Sequence, residues 1–199
     1  MTLVRGSFFK TKTKNPKPYN PNKMNPIKIN IILFGIGNLG SSIINQVIEK
    51  QQELLDEKNI EIRFPVITNS TLAFFESEDK KNKWNADFTK SPAPFAIQNI
   101  IDYALDEALE NLIAIDATTS SEILNSYTAL IENGFNILAF NTNASNQQSA
   151  FYKEINTQLK KSDKKFLYPR RTNKITPTHL LNHIFKAISF TAIQQRQAS

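Results

Sequence analysis

The sequence contains no cysteine among its 199 residues, which excludes a disulfide framework, a thiolate metal site and a cysteine nucleophile. No apolar run approaches the ~20 residues of a membrane-spanning helix, and no segment has the apolar centre of a secretory signal. These absences predict a cytoplasmic protein that does not contact a membrane. The length predicts one domain, with or without an appended element, and 40% hydrophobic residues suffice for its core.

Acidic residues are absent from the first 30 positions, which carry seven basic ones: Arg5, Lys10, Lys12, Lys14, Lys17, Lys23 and Lys28. Because these charges exceed the net charge of +6, the remainder of the chain is close to neutral. A basic tail on a neutral body is poor support for a nucleic-acid groove, so no nucleic-acid partner is predicted. Residues 1–26 are also rich in Asn and Pro and are predicted to be a disordered basic tail, either an extension upstream of Met24 or a linker.

Glycine is scarce, yet three of the five glycines fall within the six residues Gly35-Ile36-Gly37-Asn38-Leu39-Gly40. An apolar run typical of a buried strand precedes this turn, and apolar residues at helical spacing come after it. Strand, Gly-x-Gly-x-x-Gly turn and helix form the context that a dinucleotide-binding motif requires. Gly35 would allow the tight turn, Gly37 the approach of a pyrophosphate, and Gly40 close packing of helix on strand. The alternative is a tight turn that binds nothing.

Strand and helix patterns alternate along the rest of the chain. Strands are predicted at residues 28–34, 60–68, 112–116, 135–140 and 165–168, and helices at 38–57, 94–109, 120–133, 146–161 and 177–194. A polar segment, 76–94, is predicted to be an ordered loop anchored by Trp84 and Phe88. This alternation predicts an α/β fold over residues 27–199, a Rossmann-like, doubly wound, mostly parallel sheet with helices on both faces.

Several blocks, taken in order, resemble the NAD(P)-binding domain of homoserine dehydrogenase, in the form found in bifunctional aspartate kinase–homoserine dehydrogenases. The resemblance extends from about residue 27 to 186 and is carried by residues 35–40, 66–70, 116–120, 133–138, 141 with 144, 151–152 and 164–168. It implies a domain that binds NADP or NAD. It also implies a second domain that holds the amino-acid substrate, with aspartate semialdehyde reduced to homoserine between them, in threonine and methionine biosynthesis.

The glycine motif and the resemblance together predict a set of cofactor-binding residues: Gly35, Gly37, Asn38, Leu39, Gly40, Asn69, Ser70, Thr118, Thr119, Ser120 and Asn141. No catalytic residue is assigned. His179 and His183 share a helix face, but no third ligand is evident, so no metal site is predicted. Two alternatives stay open, because Asp116 fits either a ligand-orienting carboxylate or a helix cap, and Thr118 and Ser120 are also suitable caps.

The sequence departs from the family pattern at four places. Thr142 stands where the family has a lysine beside the cofactor, and Thr71 stands where a basic residue often accommodates the 2′-phosphate of NADP. The segment after Asn173 lacks the family's glycines, and the chain ends at Ser199, before the expected substrate domain. These departures predict weak binding of a pyridine dinucleotide, an open choice between NAD and NADP, and no reduction of aspartate semialdehyde by this chain alone.

Two further hypotheses belong to different classes. The chain could be an oxidoreductase subunit that a separate chain with a substrate domain completes, or a non-enzymatic interaction or regulatory module. Surface that normally packs on the second domain would be exposed in either case, so self-association into a homo-oligomer is also expected.

Overall fold

The computed structural model describes residues 25–76, 92–145, 150–168 and 177–198. The predicted disordered tail lies outside the described residues except for Asn25 and Pro26. Most of the predicted loop at 76–94, with Trp84 and Phe88, also lies outside them, as does the segment after Tyr168 that departs from the family pattern. Within the described ranges, no helix has both the length and the apolar character that a bilayer crossing requires.

Strands and helices alternate as the sequence predicts. The elements are β1 Ile27–Phe34, α1 Asn38–Lys58, β2 Ile60–Thr68, β3 Leu72–Phe75, β4 Ala93–Pro94, α2 Ile97–Asp106, β5 Leu112–Asp116, α3 Tyr127–Glu132, β6 Asn136–Ala139, α4 Ala150–Lys161, β7 Phe166–Leu167 and α5 Pro177–Ala198. Two 3₁₀ helices, Glu122–Ser126 and Thr142–Ser145, come after β5 and β6.

The described strands form one sheet in the order β4-β3-β2-β1-β5-β6-β7. Strands β1, β2, β5, β6 and β7 pair in parallel, whereas β3 and β4 pair antiparallel at one edge. From β1 the chain first builds outward through β2 and later returns to build in the other direction through β5. Ligands of doubly wound sheets bind at the carboxyl ends of the strands where this reversal occurs. The predicted fold class is confirmed.

Helices cover both faces of the sheet because the side chains of its strands alternate between two buried clusters. In β1, Ile29, Ile31 and Leu33 join the cluster formed with α1 and α5, whereas Ile32 and Phe34 join the cluster formed with α2, α3 and α4. This alternation is the period of two expected of a strand that is buried on both faces. Strand β1, the middle strand of the sheet, is therefore buried between two layers of helices.

Strand β3 is an element that the sequence did not indicate. It is four residues long and pairs with the end of β2, with Thr68 opposite Ala73 and Val66 opposite Phe75. So short an apolar run carries no strand signal of its own, because its hydrogen bonds depend on the neighbouring strand. The two-residue strand β4 then pairs with β3, and the helix predicted from residue 94 consequently begins at Ile97.

The helix predicted from about Ser120 to Asn133 is split in two. The 3₁₀ helix comes first, and the α-helix α3 begins only at Tyr127. The carbonyl oxygen of Ser120 accepts a hydrogen bond from Asn141 Nδ2 at 2.7 Å, while Leu124 N–H donates to the carbonyl of Ser121 at 3.2 Å. In an α-helix that starts at Ser120, this carbonyl would accept the N–H of Leu124. Here Asn141, just after β6, takes the place of that first helical hydrogen bond.

Candidate functional site

The glycine turn joins the carboxyl ends of three strands. Gly35 has φ +93°, a conformation that favours glycine, and its N–H donates to the carbonyl of Thr68 at 2.9 Å. A Cβ at Gly35 would lie 3.1 Å from the backbone of Ala117 and from Thr118 Cγ2. The absence of a side chain at Gly35 thus lets the ends of β1, β2 and β5 meet around one turn.

Gly37 leaves the start of α1 open. It is the N-cap residue, makes no side-chain cap, and a Cβ placed on it would meet nothing within 4 Å. The first turn of α1 contains no acidic residue. The N–H groups at the very start of α1 have no partners inside the helix, and this end of the helix carries a partial positive charge. Such a terminus is suited to a phosphate group.

Gly40 holds α1 against the turn. A Cβ at this position would lie 1.8 Å from the carbonyl oxygen of Gly35, so any larger residue would have to displace the backbone. Ser41 Oγ also donates to the carbonyl of Ile36 at 3.0 Å. These two contacts fix the position of the helix N-terminus relative to the strand ends.

The end of β2 turns sharply into β3 around Asn69. Asn69 Oδ1 accepts hydrogen bonds from the N–H groups of Thr71 at 2.9 Å and Leu72 at 2.7 Å. The N–H of Phe95 then donates to the carbonyl of Thr71 at 2.8 Å. The antiparallel strands β3 and β4 in this way bring Phe95 beside the end of β2.

Asp116, at the end of β5, is the centre of a buried hydrogen-bond network. Its Oδ1 accepts from the N–H of Thr118 at 2.8 Å, and its Oδ2 accepts from Tyr127 Oη at 2.6 Å and from Asn141 Nδ2 at 3.0 Å. Burial raises the pKa of the Asp116 carboxyl, and hydrogen bonds from Tyr127, Thr118 and Asn141 partly oppose that rise. Burial also raises the pKa of Tyr127 well above its usual value.

Asn141 connects this network to the loop after β5. Its Nδ2 lies 3.1 Å from Thr118 Oγ1, and its Oδ1 accepts from the N–H of Asn143 at 3.0 Å. Asn143 Nδ2 in turn donates to the carbonyl of Thr119 at 2.9 Å. The loop formed by residues 117–120 is therefore held in place by side chains that come from the end of β6.

A crevice of about 480 Å³ opens between the glycine turn, the end of β2 and the loop 117–120. Drug-sized ligands and cofactors occupy cavities of this size. Its walls are formed by Phe34, Gly35, Ile36, Gly37, Asn38, Leu39, Thr68, Asn69, Ser70, Phe95, Ala117, Thr118, Thr119, Ser120, Glu122, Ile123, Phe140 and Thr142. Glu122 is the one charged side chain among these described residues. The crevice lies at the carboxyl ends of the strands, where the strand order reverses.

Nine of the eleven predicted cofactor-binding residues line this crevice. The exceptions are Gly40, which packs against Gly35, and Asn141, which is fully buried in the network around Asp116. The structure thus brings the predicted residues together, while their contacts with a cofactor stay a prediction. Phe95 was missed, because only its pairing next to β3 places it in the crevice and no local pattern marks it.

The structure also shows where two further residues discussed in the sequence analysis, Thr142 and Ser120, lie. Thr142, which replaces the family lysine, is exposed at the crevice wall. Ser120 Oγ accepts from the N–H of Glu122, the first residue of the 3₁₀ helix, at 3.1 Å, and Ser120 also lines the crevice. Among the described residues, no three His, Asp or Glu side chains are grouped closely enough to hold a metal ion.

A family model described as the NAD-binding domain of homoserine dehydrogenase matches residues 35–169. The chain belongs to this family. A bifunctional aspartokinase/homoserine dehydrogenase of Buchnera aphidicola is 30% identical to this homoserine dehydrogenase family member over 159 residues, covering 79% of this chain and 19% of that protein. The corresponding protein of Haemophilus influenzae is 26% identical over 139 residues, covering 69% of this chain and 17% of that protein. The chain spans less than a fifth of the length of these relatives.

Solved structures share the fold of this homoserine dehydrogenase family member. A homoserine dehydrogenase of S. aureus superposes with a TM-score of 0.52 at 17% identity, over 74% of this chain and 34% of that one. A hyperthermophilic archaeal homoserine dehydrogenase in complex with NADPH gives 0.53 at 17% identity, over 71% and 44%. A Candida auris protein of unknown function gives 0.59 at 18% identity, over 72% and 38%. At these identities the likeness concerns the fold.

Proposed function

We propose that the crevice binds a pyridine dinucleotide, NADP or NAD, as the coenzyme domain of a homoserine dehydrogenase. The observation that carries this proposal is the open helix start at Gly37. A Cβ there would meet nothing within 4 Å, and no acidic side chain lies in the first turn of α1. The pyrophosphate would accept hydrogen bonds from the first N–H groups of α1.

The two ends of the crevice suit the two ends of such a ligand. The end of β2, with Asn69 and Ser70, is where doubly wound domains bind the adenosine ribose. Phe95 lies next to it and offers an aromatic surface to the base. The nicotinamide end would then extend toward Thr119 and Thr142, along the loop after β5 and the start of the second 3₁₀ helix.

The crevice supplies binding groups rather than a proton donor for an aldehyde. Reduction of an aldehyde by hydride transfer also requires that the substrate be held against the nicotinamide and receive a proton. The neutral Thr142 and the carboxylate of Glu122 do not provide a cation that would stabilise a developing alkoxide. We therefore propose that conversion of aspartate semialdehyde to homoserine needs a substrate-binding part, either in a longer polypeptide or on a partner chain.

Thr142 also favours a second candidate function, in which the domain binds a dinucleotide as an interaction or regulatory module. Both candidates include coenzyme binding, and they differ in whether hydride transfer to a substrate takes place afterwards. An active mixture of this chain with a separate substrate domain would support the oxidoreductase. Coenzyme binding together with a failure of every such mixture to reduce aspartate semialdehyde would support the module.

Calorimetric titration with NADPH and NADH tests the binding proposal. We expect saturable binding of at least one coenzyme and its loss in Gly37→Asp, because the new carboxylate would occupy the space in front of the helix N-terminus. Gln52→Glu is the matched control, since it adds the same charge to an exposed position of α1 outside the crevice. Absence of binding up to millimolar coenzyme would refute the proposal, as would equal affinities in wild type and Gly37→Asp.

A further inference from the structure

A groove of about 580 Å³ runs along α1 and shares no lining residue with the crevice. This α1 groove is lined by Pro26, Ile48, Gln51, Gln52, Leu55 and Glu61. The four helical residues among them recur at the spacing of a single helix face. Ile48 is 37% exposed and Leu55 is half-buried, so apolar surface of the helix is open to an occupant.

Acidic side chains surround the α1 groove. Residues 49–61 include two lysines and five acidic residues, Glu49, Glu53, Asp56, Glu57 and Glu61. Lys50 is already engaged by Glu53 at 2.8 Å, and Glu61, in the groove wall, forms no ion pair with another described residue. The C-terminal end of α1 adds the partial negative charge of a helix terminus. This surface therefore suits an occupant that is partly apolar and positively charged.

The first described residues of the chain lie at the C-terminal end of α1. The carbonyl of Asn25 accepts from Asn59 Nδ2 at 3.2 Å, and the N–H of Ile27 donates to the carbonyl of Asn59 at 2.9 Å. Asn59 is the C-cap residue of α1, and Pro26 forms part of the groove wall. The chain that precedes Asn25 is therefore attached directly beside the α1 groove.

The sequence just before this attachment has the composition that the groove suits. Residues 17–23, Lys17-Pro18-Tyr19-Asn20-Pro21-Asn22-Lys23, contain one aromatic side chain and two lysines, and no acidic residue occurs among residues 1–24. Each proline restricts its own φ and favours an extended conformation of the residue before it. A segment restricted in this way loses less conformational entropy when it binds.

We propose that residues 17–23 bind in the α1 groove of the same chain, with the ring of Tyr19 against Ile48 and Leu55. The two lysines would lie beside the acidic residues that surround the groove. This inference is independent of the proposed function. It gives the basic start of the chain an acidic partner within the same molecule, which requires no nucleic acid.

The dimensions and the attachment both support this assignment. Ile48 and Leu55 are seven residues apart, which is about 10 Å along a helix. Six residues of extended chain, from Tyr19 to Asn25, reach about 19 Å. Because the segment is tethered beside the groove, its effective concentration there is in the millimolar range, so individually weak contacts suffice to hold it.

The lack of native cysteine allows a test by disulfide formation in the full chain. Asn20→Cys is combined either with Gln52→Cys in the groove or with Glu110→Cys. Glu110 is the matched control, because it is exposed and lines a different cavity together with Asn25 and Pro26. Reaction of each thiol with a small alkylating reagent corrects for differences in thiol reactivity.

We expect the pair at positions 20 and 52 to form an intramolecular disulfide about tenfold faster than the pair at 20 and 110 at low salt. This advantage should shrink at high salt, where charges are screened. Tyr19→Ser should reduce it, and so should Lys17→Ser combined with Lys23→Ser.

Three results would overturn the inference. Equal rates for the two pairs would show that residues 17–23 do not bind in the α1 groove. Disulfides formed mainly between two molecules would assign the groove to a second copy of the chain. An advantage that persists unchanged after the substitutions at positions 17, 19 and 23 would show that these side chains do not hold the segment.

Discussion

Asn141 donates through Nδ2 to Asp116 Oδ2 at 3.0 Å, and both side chains are almost completely buried. This bond ties the end of β6 to the end of β5, and the same amide group also reaches the carbonyl of Ser120 at 2.7 Å. The wall of the crevice formed by residues 117–120 therefore depends on a side chain that does not itself line the crevice.

Replacement of Asn141 by alanine should lower the free energy of unfolding by about 1–3 kcal/mol, because a buried carboxylate and a carbonyl would each lose a donor. Urea unfolding measures this loss. Asn143→Ala is the matched control, since Asn143 is exposed and its backbone N–H keeps the bond to Asn141 Oδ1 in that variant. Similar losses in the two variants would contradict the assigned importance of the buried network.

Asp116→Asn should change the dependence of stability on pH. Burial raises the pKa of the Asp116 carboxyl in the folded state. This carboxyl therefore keeps its proton in the native protein at pH values above about 3.9, the usual pKa of an aspartate in an unfolded chain. The contribution of Asp116 to stability is therefore greatest below that value, and it is lost as the pH rises through the raised folded-state pKa.

Urea unfolding of both proteins at a series of pH values measures this effect. The free energy of unfolding of wild type, relative to that of Asp116→Asn, should decline from about pH 4 upward and then become constant. Other carboxyl groups titrate in both proteins and cancel in the comparison. A difference that does not vary with pH would refute a raised pKa at Asp116.

Gly40→Ala and Gly37→Ala should separate packing from binding. The new Cβ of Gly40→Ala would lie 1.8 Å from the carbonyl oxygen of Gly35, so we expect a loss of stability of about 1–3 kcal/mol or more. The Cβ of Gly37→Ala meets no atom within 4 Å, so stability should change by roughly 0.5 kcal/mol or less while coenzyme affinity falls. Thermal unfolding and coenzyme titration of both variants test this contrast. Equal stabilities of Gly40→Ala and Gly37→Ala would contradict it.

Thr142→Lys should tighten coenzyme binding. Thr142 is exposed at the crevice wall, where a lysine would place a positive charge near an anionic ligand. We expect affinity to rise about three- to tenfold at low salt and the gain to shrink as ionic strength increases. Asn125→Lys adds the same charge at an exposed site outside the crevice and should have a smaller effect. Equal effects of the two lysines would mean that position 142 does not face the ligand.

The turn from β1 into α1 could be predicted almost to the residue because its determinants are local. Gly35 adopts a positive φ, Gly40 allows contact with the turn, and the apolar spacing of α1 places Ile43 and Val47 in the core. Strands β2 and β5 were also predicted from local patterns, β2 from its apolar positions Ile62, Phe64, Val66 and Ile67 and β5 from a short continuous apolar run. The local pattern of the glycine turn accounts for Gly35, Gly37, Asn38 and Leu39 in the crevice wall, whereas Asn69, Ser70 and residues 118–120 were predicted through the family resemblance.

The rest of the site depends on contacts between distant parts of the chain. Asn141 is predicted to bind the cofactor, a prediction that stays open; the bond of its amide to Asp116, which is 25 residues earlier, could not be predicted from the sequence. Phe95 enters the crevice through the bond from its N–H to Thr71, a pairing that no spacing in the sequence indicates. Such partners become visible only when the order of the strands is known.

The strands at the two ends of the described sheet, β4 and β7, are each only two residues long. One of the two residues of β4 is Pro94, which has no N–H to donate. Long unpaired strands invite another chain to add its own strand and can start aggregation, whereas short or proline-containing edges resist it. If copies of this protein associate, these edges favour association through helix faces rather than by extension of the sheet.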